Sequence, residues 1–291
     1  MMAAVGRPEE RRVTTRGGAA LSSPLVTTTA TQLGDLPEEC LALAIVLTSP
    51  RDASRCAAAD SDHVWQRFIP TDGHFLLMSP AAKKKKKKDA YLGLCDAAGA
   101  AVDGGCRVWL DRATGAKCYA LSARRLSLPW DDGEFSWKFT PHPRSRFGEV
   151  AELIECTCLD IYGRLPASAL TPAMPYIRGV PGLRHSARGA PPRPQLTGPG
   201  DSGGVAATRH AVCLRPDDAG AGSVASGKER EEKVRRPRRR RDGWWEMEMG
   251  RLIVSAAVGE GGEEVVANLE ALGWYPKRGL VLHGIEFRPI H

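Results

Sequence analysis

The sequence has no Cys-x-x-Cys pair. Its eight cysteines stand at positions 40, 56, 95, 106, 118, 156, 158 and 213, and no histidine cluster lies at zinc spacing near any of them, so no metal site is expected. The start, Met1 to Glu10, contains no apolar core of the kind a secretory signal needs, and no apolar run reaches the length of a membrane span. These absences make the expectation an intracellular chain, cytoplasmic or nuclear, with reduced thiols and no membrane partner. The seven histidines, at 63, 74, 142, 185, 210, 283 and 291, have no carboxylate or nucleophile at a spacing that suggests acid–base work. Gly200-Asp201-Ser202-Gly203-Gly204 matches the segment around the nucleophilic serine of chymotrypsin-like proteases, but no Ala-Ala-His-Cys type segment supplies a base. The chain is therefore expected to be non-catalytic and to carry no cofactor.

What is abundant is glycine and proline, 31 and 21 residues, about 18% of the chain against roughly 12% in average usage, which argues against an all-helical fold. The formal net charge of +7 comes from two runs, Lys83 to Lys88 and Arg235 to Arg241. Neither run contains the interleaved aromatics that stack on bases, so both read as solvated loops, with nuclear import or polyanion contact as the competing reading and nucleic acid only a secondary candidate partner.

Residues 1–32 are rich in Ala, Thr, Arg and Gly without helical or strand period and read as a disordered arm. A short helical unit follows over 33–80. Asp35 can cap a helix, Pro37 suits an early helical position, and Glu38 and Glu39 fall where the helix dipole favours carboxylates. The helix running through Leu41, Leu43, Ile45 and Leu47 is apolar nearly all round and needs cover on more than one side. Ser49-Pro50-Arg51-Asp52 then repeats the start signal, with Ser49 as cap. Trp65 and Phe68 share a face three residues apart.

A Lys-rich linker, 81–90, leads to a β-rich domain over 91–291. Cys106, Val108 and Leu110 alternate with Arg107, Trp109 and Asp111, the period of a half-buried strand; Asp111 to Gly115 makes a hairpin loop and Lys117 to Leu121 a returning strand. Further strands are expected at Val150 to Leu153, Leu159 to Tyr162, Ala211 to Leu214, around Trp245 to Met249, where Glu246 and Glu248 alternate with Met247, and at Gly279 to Phe287. Residues 177–204 are rich in Pro, Gly and Arg without alternation, and no packed core is expected there. The fold class is thus α+β: a small helical unit followed by an all-β, jelly-roll-like sandwich, with an irregular middle insert.

The run Leu36-Pro37-Glu38-Glu39-Cys40, the Ser49-Pro50-Arg51-Asp52 step and the later Trp65 resemble an F-box, shortened between Ala59 and Asp60. Downstream, Leu121 to Trp130, Phe147 to Gly163, Asp242 to Gly250 and Gly279 to Pro289 resemble, in order, the phloem protein 2 lectin domain, the Nictaba-like fold. Together they look like the plant F-box proteins of the phloem protein 2 B type. Cys158 departs from that pattern, standing where relatives often have tryptophan. The strand expected after Pro172 gives way to the stretch at 177–204, which has the texture of out-of-frame translation. Sequencing the transcript across that span tests this.

The resemblance implies docking to a Skp-type adaptor of a cullin-based ubiquitin ligase through Leu36, Pro37, Leu41, Ile45, Leu47 and Pro50. It also implies a lectin-type site in which Trp130 and Trp137 offer ring faces to an oligosaccharide or N-glycan while Asp131, Asp132 and Glu134 take its hydroxyls. The leading expectation is a substrate-recognition subunit of an SCF-type ligase. The alternatives are a free carbohydrate-binding lectin whose F-box is defective, and a non-functional product of a disrupted gene.

Overall fold

A computed structural model of the chain describes residues 37–56, 60–72, 86–128, 136–181, 195–198, 205–207, 210–212, 235–254, 263–271 and 276–290. They belong to one compact unit that begins at Pro37; the arm assigned to 1–32 lies outside the described residues.

Among the described residues, four helices come first. Helix α1 is Glu38–Val46 and α2 is Pro50–Ala53. Ser49 caps α2 as its sequence suggests, accepting from the Asp52 N–H at 3.2 Å and donating its hydroxyl to Asp52 Oδ2 at 2.7 Å. Asp35, read as the cap of the first helix, lies outside the described residues. Helix α3, Asp62–Phe68, places Trp65 and Phe68 edge to face with ring centroids 6.0 Å apart. Helix α4, Lys87–Leu94, begins inside the span 81–90 assigned to a linker. Two effects draw the end of the lysine run, Lys87 and Lys88, into a helix here. The Asp62 carboxylate accepts from the Lys87 N–H at 2.8 Å, where a helix start leaves its donors unpaired, and Tyr91 and Leu94 are buried. The Tyr91 ring meets Trp65 at 5.2 Å.

The rest is antiparallel sheet. Strands β1 (Ala100–Asp103), β2 (Cys106–Leu110) and β3 (Lys117–Ser122) form a meander; β4 (Trp137–Pro141), β5 (Glu149–Leu153), β6 (Leu159–Pro166) and β7 (Pro175–Pro181) follow. After them come β8 (Gln195–Gly198), β9 (Val205–Ala207), β10 (His210–Val212), β11 (Arg238–Arg239), β12 (Trp245–Val254), β13 (Glu264–Ala271), β14 (Val281–Leu282) and β15 (Gly284–Pro289). The largest sheet runs β1-β2-β3-β15-β7-β12-β11, with β9 also on β12; a second runs β10-β8-β13-β6 and a third β14-β5-β4. This is the α+β architecture expected from the sequence, and one core joins its parts. Ile45 of α1, Trp65 of α3 and Tyr91 of α4 belong to the same buried cluster as Val108, Leu121, Ile161, Met247, Leu269 and Phe287 from the sheets.

The helices meet the sheets at the Asp111–Gly115 turn. Its Asp111 carboxylate accepts from the N–H groups of Ala113 and Thr114, and Ala113 O accepts from the Arg51 N–H at 3.3 Å. Gly115 has φ +74, and a Cβ there would lie 3.2 Å from Pro50 Cγ, so the turn needs glycine twice over.

Three expectations change. The span from 177 is not all irregular: Ile177 to Pro181 complete β7, whose backbone pairs with β12 on one side and β15 on the other, and β8 pairs with β13 and β10. Gly179 and Pro181 are residue types that argue against a strand by propensity, which is why the strand was hidden. Residues 182–194 and 199–204 lie outside the described residues. The closing strand expected from Gly279 to Phe287 is two strands in different sheets, joined at His283. The basic run at Arg235–Arg241 is not a free loop. Arg238 and Arg239 pair with β12 as an edge strand, and the run finds counter-charges in the outward glutamates of that strand.

Candidate functional site

Helix α1 is covered on one side only. Ile45 is 5% exposed and Ala42 is buried, Leu41 is half-buried, and Leu43 and Leu47 stand 56% and 88% exposed. Pro37 is exposed and Pro50 buried; Leu36 lies outside the described residues. The expected adaptor set thus divides. Pro37, Leu41 and Leu47 reach the surface, while Ile45 and Pro50 serve the chain's own core. Leu43, absent from that set, joins the surface group; its place four residues before Leu47 was the available signal.

The expected lectin set is not brought together among the described residues. Trp130, Asp131, Asp132 and Glu134 lie outside them, and Trp137, at 7% exposure, opens β4 inside the core with its Nε1 buried and unmatched.

A second surface, which the sequence reading missed, lies on the outer face of the largest sheet. On β2, β3, β12 and β15 one set of alternate side chains enters the core, Val108, Tyr119, Met247 and Phe287 among them. The opposite set comprises Trp109, Cys118 and Ala120, with Phe147 against them, and the charged residues Glu246, Glu248, Glu286 and Arg288. In register, Glu248 and Glu286 flank Gly179 of β7, a position with no side chain to fill the space between them. The result is a cleft of about 500 Å³.

Three guanidiniums gather on Glu286, itself 1% exposed. Arg146 lies 2.7 Å away, Arg240 2.8 Å and Arg288 3.3 Å. Arg288 also pairs with Glu246, and Glu248 with Arg235 and Arg251. Two turns position these arginines. Arg240 sits in the turn between β11 and β12, where Gly243 takes φ +85 and the Arg240 N–H donates to Trp244 O at 2.7 Å. Arg146 sits in the turn before β5; its N–H donates to His283 Nε2 at 3.2 Å and its guanidinium lies 5.0 Å over the Trp109 ring. His283 in turn stacks on Trp244, the planes 1° apart.

The charges in the cleft press on one another. Burial, and then the neighbouring Arg240, bring Arg288 down from 12.5 to about 10. Burial lowers Arg146 as well, and Arg240 adds to that against the pull of Glu286. Beside Arg146, burial pushes the His283 imidazole down to about 3, with Arg146 and Arg240 reinforcing it.

The structure thus presents a helical unit with an open apolar stripe, built onto antiparallel sheets with a charged outer face. The phloem protein 2 family model matches residues 116–289. Relatives in Arabidopsis thaliana extend the match to the helices. PP2-B2 is 32% identical over 296 residues, 97% of this chain and 89% of that protein. PP2-B10 is 30% identical over 271 residues (87% and 92%), and PP2-B15 is 31% identical over 281 residues (87% and 96%). All three carry both F-box and PP2-B in their names. The chain belongs to the phloem protein 2 family and is related to its F-box-bearing PP2-B members over most of its length. Among the described residues no helix is long and apolar enough to cross a membrane.

Proposed function

We propose that this protein is a non-catalytic substrate receptor of an SCF-type ubiquitin ligase, docking a Skp-type adaptor through α1 and holding a target on its β domain. The observation that carries the reading is the pair Leu43 and Leu47, left uncovered on the helix that follows the Leu36-Pro37-Glu38-Glu39 start. Burying one exposed leucine is worth about 1.5–3 kcal/mol, so two such side chains supply a large share of a docking energy. Kinship to proteins named for an F-box supports the same reading. Ubiquitin chemistry then belongs to partner enzymes.

The test is recovery of a Skp-type adaptor on the full chain, with Leu43→Lys and Leu47→Lys combined. Lysine keeps helix propensity and suits a helix C-terminus. Adaptor recovery falls tenfold or more while the melting curve stays in place; recovery that does not change refutes the docking surface. The target, by family resemblance, carries an oligosaccharide or N-glycan taken by Trp130, Asp131, Asp132 and Glu134. A glycan array with the wild-type chain and Trp130→Ala tests that separately.

A further inference from the structure

The cleft on the outer sheet face is more than an internal staple. Five guanidiniums, from Arg146, Arg238, Arg240, Arg251 and Arg288, line it against three carboxylates, Asp111, Glu248 and Glu286; with Arg235, Asp242 and Glu246, which pair into the same network, six guanidiniums face five carboxylates, so mutual pairing leaves one positive charge over. Two features show where the surplus lies. Arg238 is exposed on the edge strand β11 and makes no ion pair among the described residues, and Nη1 of Arg146 is buried with no hydrogen-bond partner. Arg251 and Arg288 both stand opposite Ile177 in register, on either side of β7, so the cations ring the hollow beside Gly179 rather than trail along one edge. A compact dianion at this spot would accept from several guanidiniums at once. A continuous polyanion fits worse: Glu248 and Glu286 would repel its backbone, and the Trp109 ring, 6% exposed, has no open face for a base.

We propose that this cleft binds the phosphoryl group of a phosphorylated side chain on the target protein. The identification of the bearer as a target rests on the receptor reading above; the phosphoryl site itself does not. Phosphate monoesters carry close to two negative charges at neutral pH and three acceptor oxygens, which matches a ring of forked donors. Glu286 has the role of holding Arg146, Arg240 and Arg288 in place before the ligand arrives, so that little side-chain entropy is lost on binding.

The experiment uses the full chain without adaptor, so its failure leaves the docking claim standing and the converse also holds. Calorimetry with inorganic phosphate, and retention on a phosphoserine, phosphothreonine and phosphotyrosine peptide library beside its unphosphorylated twin, are compared for wild type and Arg238→Gln. The substitution touches an exposed side chain with no ion pair among the described residues, and an unchanged melting curve verifies folding. The expected result is saturable phosphate binding, retention of phosphorylated peptides only, and a loss of about tenfold in affinity in Arg238→Gln, partly restored in Arg238→Lys. The proposal is overturned by no saturation with phosphate up to about 10 mM, by equal binding in Arg238→Gln, or by homopolymeric RNA binding more tightly than the phosphopeptides.

Discussion

The face of α1 and the cleft on the largest sheet differ in almost every physical respect. One is a short helical stripe whose outward leucines, Leu43 and Leu47, stand exposed; the other is a hollow lined mainly by charged side chains, most of which already have partners. The difference teaches how each surface would hold a ligand. Apolar docking depends on area removed from water and is nearly indifferent to salt, whereas a guanidinium cluster recognises charge and weakens as salt screens it. Raising salt from about 0.05 to 0.5 M therefore separates them: phosphate binding falls several-fold while adaptor recovery changes little.

Both surfaces stand on one core, so the largest predicted effect abolishes the contrast. Trp65→Ala removes a ring in contact with Phe68 and Tyr91 and destabilises the whole unit by about 3–5 kcal/mol, read as a lower denaturation midpoint with a single transition. A separate helical transition would show that the two regions are independent.

The next effect belongs to the cleft side alone. His283 is held neutral in the fold, so below its ordinary value of 6.5 the unfolded chain takes up a proton that the folded chain refuses. Stability is full above about pH 6.5 and is lost as pH falls toward 3, by about 2–4 kcal/mol. His283→Gln flattens this acid limb at some cost in neutral stability; an unaltered limb assigns the loss to other groups. On the α1 side, Ile45→Ala lowers stability by about 2–4 kcal/mol because the side chain is core, whereas Leu43→Lys with Leu47→Lys does not. The smallest effect is at the exposed Arg124 and Glu149 pair, where Arg124→Ala costs less than about 1 kcal/mol in chemical denaturation despite two hydrogen bonds.

The two surfaces were also unequally legible in the sequence. The cap at Ser49, the Asp111–Gly115 turn and the alternation through Cys106 to Leu110 report local periods, and each recurs in the structure. Which leucines of an all-apolar helix face outward is not local. It depends on how α2 and α3 pack on α1, with Ile45 buried and Leu47 left out, so the expected docking set mixed surface with core. The cleft was hidden for a stronger reason: Arg146, Arg240 and Glu286 come from turns and a strand far apart in the chain. The one clue was the outward pair Glu246 and Glu248 close after an arginine run, joined to it by the Asp242-Gly243 turn. Strand β7 escaped notice because a central strand takes its place from backbone pairing, which Gly179 and Pro181 do not advertise.

The proposed adaptor-binding role of α1 is tested by the dissociation constant of the full chain for a Skp-type adaptor, wild type against Leu43→Lys with Leu47→Lys. The expected result is saturable binding that weakens at least tenfold in the double variant with the melting curve unmoved. No binding by the wild-type chain, or equal binding by both, would contradict it.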